Sequence, residues 1–144
     1  MPRALQNDQF LNPTNPDFAD QLLGELGDPK NAFVWNSSLK TGKLTLGYRM
    51  RFVGKMTVGP WEATHSKNGD APTDPDYAED EFYRAVSYHD IRAQLDVSDR
   101  FNFYLGMDDV TNRKPPKGLS GAGGGSGIYR NVGRFLYAGF VAKF

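Results

Sequence analysis

Few residues of this chain have side chains that commonly carry chemistry, and their spacing does not bring those side chains together. His65 and His89 are its two histidines. Asp90 adjoins His89, but successive residues of a strand point to opposite faces, which spoils a shared metal site. The chain has no cysteine, so thiol nucleophiles, thiolate zinc sites and disulfides are excluded. We expect both histidines to be structural or solvated, and we expect no metal ion and no cofactor.

Clustered carboxylates and a glycine-rich segment are the remaining candidates for a reactive site. Asp108-Asp109 and Glu79-Asp80-Glu81 have the residue type that serves acid–base chemistry and calcium binding. The first pair is split across the faces of a strand and the second group lies in a loop, so we interpret both as solvated. The glycine-rich segment 118–127 lacks the lysine and the helix that follow a phosphate-binding loop. Because no nucleophile motif is present either, the sequence predicts that the protein is not an enzyme.

The composition favours strands and turns and excludes several partners. Aromatic residues make up 13% of the chain, beside sixteen glycines and nine prolines, and this mix favours β-strands joined by turns. Seventeen basic and seventeen acidic residues balance, so we expect no nucleic-acid partner. No run approaches the roughly 18 apolar residues of a membrane helix, and residues 1–10 lack the apolar segment of a signal peptide. If the protein is exported, we expect its signal to lie upstream.

Apolar residues alternate with polar ones over most of the chain, with a period of two. The cleanest example runs from Leu44 to Phe52, where every even position is apolar. The alternation stays in phase across the tight turn Ser98-Asp99-Arg100. The sequence therefore predicts an all-β protein with antiparallel strands at about 31–40, 44–54, 83–97, 101–110 and 132–144.

The connections between these strands alternate strictly between long and short. Residues 1–30, 55–81 and 112–131 are long and rich in turn residues, whereas 40–43 and 98–100 are short. Outer-membrane β-barrels have this pattern because their periplasmic turns are short and their extracellular loops long, and their strands need about 9 to 11 residues. Charges on the polar faces of the strands fit a wide interior; they are Arg49, Arg51, Asp90, Arg92 and Asp96. A soluble sandwich or a lipocalin-like barrel is the alternative fold.

The pattern predicts an antiparallel transmembrane β-barrel segment that is incomplete on its own. The hairpins 31–54 and 83–110 and the closing strand 132–144 would cross the bilayer, with the long connections outside the cell. Five tilted strands do not close a membrane barrel, and each unpaired backbone group in hydrocarbon costs several kcal/mol. We therefore expect the chain to be a piece of a longer protein.

Three short motifs lie in the second half of the chain. Tyr88-His89-Asp90 leads into a strand, residues 105–116 end in Pro-Pro, and residues 129–134 precede a last strand with a terminal aromatic residue. In this order they resemble the aromatic-x-Asp, Gly-x-x-Asn-Leu-Phe-Asp-x-x-Pro-Pro and Tyr-Asp-x-x-Gly-Arg motifs at the C-terminal end of TonB-dependent outer-membrane receptors. Asp109 stands where that family has Asn, and Arg130 stands where it has Asp.

The resemblance implies a fold, a location and a function. Members of this family hold a plug domain inside a 22-stranded barrel in the bacterial outer membrane. They take up large, scarce solutes such as ferric siderophores, cobalamins or oligosaccharides by energy-coupled transport. This chain would supply about the last five strands, and loops 55–81 and 112–131 would contribute to the ligand entrance. A passive porin is the nearer alternative, and an outer-membrane hydrolase is an alternative from a different class.

The resemblance also implies partners and assigns a role to the final strand. The partners would be outer-membrane lipid, the barrel-assembly machinery and, through N-terminal parts of the receptor, the TonB-ExbB-ExbD complex. An exposed terminal strand edge is a natural template for strand addition. The alternating apolar residues of the last strand would be the signal read by the assembly machinery; they are Leu136, Ala138, Phe140, Ala142 and Phe144.

Overall fold

A computed structural model describes residues 11–12, 15–19, 22–66, 69, 71–76, 82–116, 119 and 126–143. The main sheet has five strands in the order β3-β4-β7-β8-β9, and every neighbouring pair is antiparallel. The prediction of an all-β protein is confirmed. In chain order the elements are β1 (Leu11–Asn12), β2 (Asn15–Ala19), β3 (Ala32–Thr41), β4 (Leu44–Val53), β5 (Met56–Thr57), α1 (Trp61–Thr64), β6 (Phe82–Tyr83), β7 (Val86–Asp96), β8 (Phe101–Asp108), a single 3-10 turn (Ser126–Ile128) and β9 (Phe135–Ala142).

The main sheet is open, with β3 and β9 as its two edges. Tight turns join β3 to β4 and β7 to β8. Gly42, in the first turn, has a φ of 56°, which side chains with a Cβ rarely adopt. In the second turn, Ser98 Oγ accepts hydrogen bonds from the backbone N–H groups of Arg100 and Phe101 at 3.3 and 3.2 Å. We call this side the short-turn end, and the opposite side, where residues 54–85 and 109–134 connect strands, the long-connection end.

The strand predicted over 83–97 is interrupted near its start. β6 pairs with β5 in a separate two-stranded sheet, in which Tyr83 lies opposite Met56. β7 begins only at Val86 and continues to Asp96. Two separate pairings therefore replace the single long strand that the alternation predicts. Within the described ranges, no helix has the length and apolarity needed to cross a membrane.

The last two strands are shorter than predicted. β8 ends at Asp108 because the next residue, Asp109, has a φ of 47°, outside the extended region. The strand predicted over 132–144 covers Phe135–Ala142. Phe144, which belongs to the predicted assembly signal, lies outside the described residues.

The connection 55–81 is predicted to be a long loop rich in turn residues, but the part that the structure describes contributes to a folded core. Met56 is fully buried, and Glu62 and Ala63 of α1 are buried as well. The backbone N–H of Thr57 donates to Gly24 O at 2.8 Å, which ties this connection to the segment before β3. A long polar connection therefore has a structured base.

The buried residues concentrate at the long-connection end. Four buried apolar residues form one cluster, and four half-buried ones pack against it. The cluster takes residues from the end of β4 and from all three long segments around the sheet, so these segments form one unit. We call it the cap cluster; it consists of Val53, Met56, Leu119, Tyr129, Leu26, Tyr83, Val86 and Ile128.

Candidate functional site

The two faces of the main sheet differ in chemistry, and the strand register keeps each face consistent. In one row across four strands, Leu46 lies opposite Ala93, Ala93 opposite Leu105, and Leu105 opposite Ala138. Residues directly opposite in antiparallel strands share a face, so the alternating apolar residues form one surface. We call it the apolar face; it consists of Phe33, Trp35, Ser37, Leu39, Thr41, Leu44, Leu46, Tyr48, Met50, Phe52, Ser87, His89, Ile91, Ala93, Leu95, Phe101, Phe103, Leu105, Met107, Leu136, Ala138, Phe140 and Ala142.

Most of the large residues of the apolar face are exposed although they are hydrophobic. Trp35 is 60% exposed, Phe103 53% and Phe140 68%. Neighbouring rings contact each other across the strands: the Phe33 and Phe52 ring centres are 5.1 Å apart, and those of Phe103 and Phe140 are 6.2 Å apart. No position of this face holds Asp, Glu, Lys or Arg. Large exposed apolar patches are typical of sites that contact another apolar phase or a partner.

One polar pair lies on the apolar face toward the long-connection end. The Tyr48 hydroxyl and His89 Nδ1 are 2.7 Å apart and share a hydrogen bond. Asp90, the next residue, points to the other face, where it bonds Arg130. Within the described ranges no group of His, Cys, Asp and Glu could hold a metal ion.

The opposite face, which we call the polar face, carries the charges predicted to face an interior. Arg49 and Asp90 lie opposite each other on β4 and β7. Arg92 donates to Gln94 Oε1 at 3.2 Å, and Gln94 Nε2 donates in turn to Asp96 at 3.1 Å. This face borders a cavity of about 380 Å³, with a charged lining that includes Arg49, Asp90, Arg92, Asp108 and Arg130.

The three sequence motifs meet at the long-connection end of the polar face, and we call their contact region the motif junction. Arg130 binds Asp90 through two hydrogen bonds, Nη1 to Oδ1 at 2.5 Å and Nη2 to Oδ2 at 2.8 Å. The backbone N–H of Arg130 donates to the hydroxyl of the fully buried Tyr88 at 3.1 Å. The backbone N–H of Asp109 donates to Asp90 Oδ1 at 2.9 Å. Each motif therefore contacts another motif in space.

Two arginines lie near the ring of Tyr88 in the motif junction. The guanidinium carbons of Arg51 and Arg130 are 6.0 and 5.6 Å from the ring centre, close enough for cation–π attraction. Arg51 also donates to Ile128 O at 2.6 Å, which fixes the 3-10 turn against β4. The sequence did not reveal this convergence, because the partners are far apart along the chain.

Charge and burial shift two pKa values in the segment before β9. The hydrogen bond to Asp90 raises the pKa of Arg130 most, burial opposes the rise, and the charges of Asp90, Asp108 and Asp109 add to it. Burial in the cap cluster raises the pKa of Tyr129 to about 12. Both shifts favour the protonated form, in which Arg130 is the charged partner of Asp90 and Tyr129 is neutral within the cap cluster.

The prediction that the Asp108-Asp109 pair is solvated is wrong for Asp109, which is fully buried at the junction because β8 ends there and its backbone N–H bonds Asp90. Among the described residues, one of its two carboxylate oxygens has hydrogen-bond partners. Oδ1 accepts bonds from Thr111 Oγ1 at 3.2 Å and from the Arg113 N–H at 3.1 Å. Oδ2 is buried and has no hydrogen-bond partner in the part of the chain that the structure describes. Asp109 is one of the positions that differ from the motif given in the sequence analysis, where Asn is usual. An Asn at this position would have an amide N–H donor in place of the acceptor oxygen Oδ2.

The residues predicted to signal assembly lie together on the apolar face, except Phe144, which is outside the described residues. Leu136, Ala138 and Phe140 are exposed on β9, and Ala142 is half-buried. Their role in assembly stays a prediction.

Sequence reasoning missed the cap cluster. Its available signal was the presence of Met56 and Leu119, two large apolar side chains, in connections rich in turn residues. No protein-family profile, curated protein sequence or solved structure matches this chain.

Proposed function

We propose that the five-stranded sheet is part of the wall of a β-barrel in a bacterial outer membrane. The apolar face carries this proposal. It extends across all five strands, most of its aromatic and aliphatic side chains are exposed, and it contains no formally charged residue. In water such a face has no burial to stabilise it, whereas lipid would surround it without cost, because lipid tails are as apolar as these side chains.

The polar face supports the same orientation. Its charged side chains would face the barrel interior, where water or protein solvates them, rather than hydrocarbon, where an arginine costs about 2 to 4 kcal/mol at the midplane. The lining of the cavity along this face includes five charged residues. Lipid on one side and water on the other therefore account for both faces.

The two open edges require further strands. The outer backbone groups of β3 and β9 have no strand partner within the described sheet. In a bilayer these groups must be paired, since each unpaired group costs several kcal/mol. We propose that strands from elsewhere in the receptor complete the barrel.

The motifs favour a receptor for TonB-dependent uptake of a large solute, such as a ferric siderophore, a cobalamin or an oligosaccharide. The three segments that resemble the receptor family are distant in sequence and contact each other at the motif junction. Three unrelated chance similarities would not be expected to meet in space, so this contact favours a common origin of the three resemblances. In this proposal the long connections contribute to the ligand entrance, and a plug domain couples transport to the TonB-ExbB-ExbD complex.

Cell fractionation tests the location. The full protein that carries this chain should sediment with outer membranes, resist extraction at alkaline pH, and migrate differently on a gel before and after boiling. Recovery in the soluble fraction would contradict the wall proposal. A peripheral protein of the same preparation, which alkaline pH releases, is the control.

A passive porin is the competing function, because a charged interior face suits an open channel as well. Planar-bilayer conductance of the purified protein separates the two. A plugged receptor should give little steady conductance, whereas a porin should give stable open steps in the same salt. Stable open steps would therefore contradict the receptor proposal but not the barrel proposal.

A further inference from the structure

The strand register of β9 on β8 has no short turn to fix it. The registers of the two hairpins are constrained by tight turns at Gly42 and at residues 97–100. Residues 109–134 separate β8 from β9, and the entropy of closing a long connection changes little with a shift of one or two residues. Some other feature must select the observed pairing.

The side-chain pattern of β9 selects its register only weakly. On β7, charged or polar residues alternate with apolar ones, so a slip by one residue would turn charges toward the apolar face. On β9 both faces are mostly apolar: Phe135, Tyr137, Gly139 and Val141 lie on one, and Leu136, Ala138, Phe140 and Ala142 on the other. A slip would therefore move no formal charge between β9 and the apolar face.

Tyrosine rings lie over glycines at two neighbouring positions of the β8–β9 pair. Tyr104 lies opposite Gly139, and Gly106 opposite Tyr137. A Cβ on Gly139 would come within 2.6 Å of Tyr104 Cζ, and one on Gly106 within 2.7 Å of Tyr137 Cε2. The ring centres of Tyr104 and Tyr137 are 6.5 Å apart. Each ring thus fits only where a glycine lies opposite it, and a shifted strand would lose this fit.

The start of β9 is held by contacts with the end of β8. Arg134, the residue before the strand, donates its backbone N–H to Asn112 Oδ1 at 3.1 Å and its Nη2 to Val110 O at 2.7 Å. Asn112 has a φ of 52°, and Gly133, with a φ of 73°, lies so close that a Cβ would be 2.7 Å from Asn112 Oδ1. A slip of β9 would break these contacts together.

We propose that Asn112, Gly133 and Arg134, with the two tyrosine–glycine pairs, form a register lock that selects the pairing of the last strand. The lock supplies the specificity that the turn and the apolar pattern do not. It depends on contacts within the chain alone, so it holds whether or not the sheet lies in a membrane.

Disulfide trapping in the full chain tests the lock, because the chain has no native cysteine. Asn102 lies opposite Val141, so the double variant Asn102→Cys/Val141→Cys reports the observed register. Asn102→Cys with Ala142→Cys or with Lys143→Cys reports a slip of one or two residues. The measured quantity is the ratio of in-register to shifted cross-linked product after mild oxidation.

Asn112→Ala in each reporter background should lower this ratio about fivefold, the effect of losing one net hydrogen bond. Asn112→Asp keeps the acceptor oxygen and should retain the ratio. Asn131→Ala, a change of the same type at an exposed residue of the same connection, is the matched control. Tyr104→Ala should also lower the ratio, and Tyr104→Phe, which keeps the ring over Gly139, should not.

Folding of every variant is monitored in a separate protein that carries, in place of the register reporter, the cross-link Asp96→Cys/Asn102→Cys between β7 and β8. If Asn112→Ala loses this cross-link, the decision passes to Arg134→Ala, which removes an exposed side chain and leaves no cavity. A lower ratio in Arg134→Ala supports the lock. The proposal is overturned if Asn112→Ala, or Arg134→Ala where Asn112→Ala loses the β7–β8 cross-link, gives the same ratio as the Asn131→Ala control.

Discussion

The cap cluster and the main sheet bury their apolar side chains in opposite ways. In the cap cluster, Met56 is fully buried and Val53 nearly so, although most of the cluster comes from the polar connections and the segment before β3. In the sheet, regular strands leave Trp35, Phe103 and Phe140 more than half exposed. A soluble sandwich would bury its strands and solvate its loops. The cap cluster is packed from within the chain, whereas the sheet would, in the proposed barrel, be covered by lipid.

Methionines in the two regions give the largest contrast. Met56→Ala should cost about 2 to 5 kcal/mol, because it leaves a cavity in the cap cluster. Met50→Ala, the same change on the apolar face of β4, should cost much less in a membrane, where lipid fills the space. Urea unfolding of both variants in lipid vesicles measures this. Equal losses would remove the distinction between the regions.

Charge on the sheet should depend on the face that carries it. Phe103→Arg places a charge on the apolar face and should destabilise the membrane-inserted protein by about 2 to 4 kcal/mol near the bilayer midplane. Asn102→Arg, one residue away on the polar face, should be mild. The fraction of protein inserted in outer membranes measures both. A larger loss for Asn102→Arg would reverse the assigned faces.

The Asp90–Arg130 pair links the sheet to the cap and should have an intermediate effect. Arg130→Ala leaves the half-buried Asp90 carboxylate with fewer donors and should cost about 1 to 3 kcal/mol. Arg130→Lys keeps the charge but not the two-pronged geometry, so it should recover only part of the loss. Proteolysis of the connection 109–134 in native protein reports the loosening. Unchanged cleavage in Arg130→Ala would show that this ion pair does not couple the cap cluster to the sheet.

Asp109→Asn should have the smallest effect, with stability unchanged or higher by up to about 1 kcal/mol. The change keeps the acceptor for Thr111 and Arg113 and removes a buried charge whose second oxygen has no partner among the described residues. Thermal unfolding measures it, with Asp109→Ala as the destabilised control. If Asn were as harmful as Ala, the negative charge itself would be needed at the junction.

The sequence predicted the strands well because their signal is local. Leu44 to Phe52 alternate within one element, and the short turns contain Gly42 and Ser98, which suit tight reversal. The cap and the junction follow from contacts between distant residues: Leu119 and Met56 come from different connections, and no periodicity reports such a contact. The positive φ of Asp109, which ends β8, depends on the same distant contacts.

The accessibility of two neighbouring residues to a water-soluble reagent tests the central claim, that the apolar face contacts lipid, most directly. Ile91 and Arg92 are adjacent on β7, lie on opposite faces and are both exposed. In the cysteine-free chain, Ile91→Cys and Arg92→Cys can each be labelled in membranes with a small, charged, water-soluble thiol reagent. We expect Arg92→Cys to react readily and Ile91→Cys to react only after the membrane is dissolved and the protein unfolded. Fast reaction of Ile91→Cys in intact membranes would contradict the account, because the apolar face would then be in water.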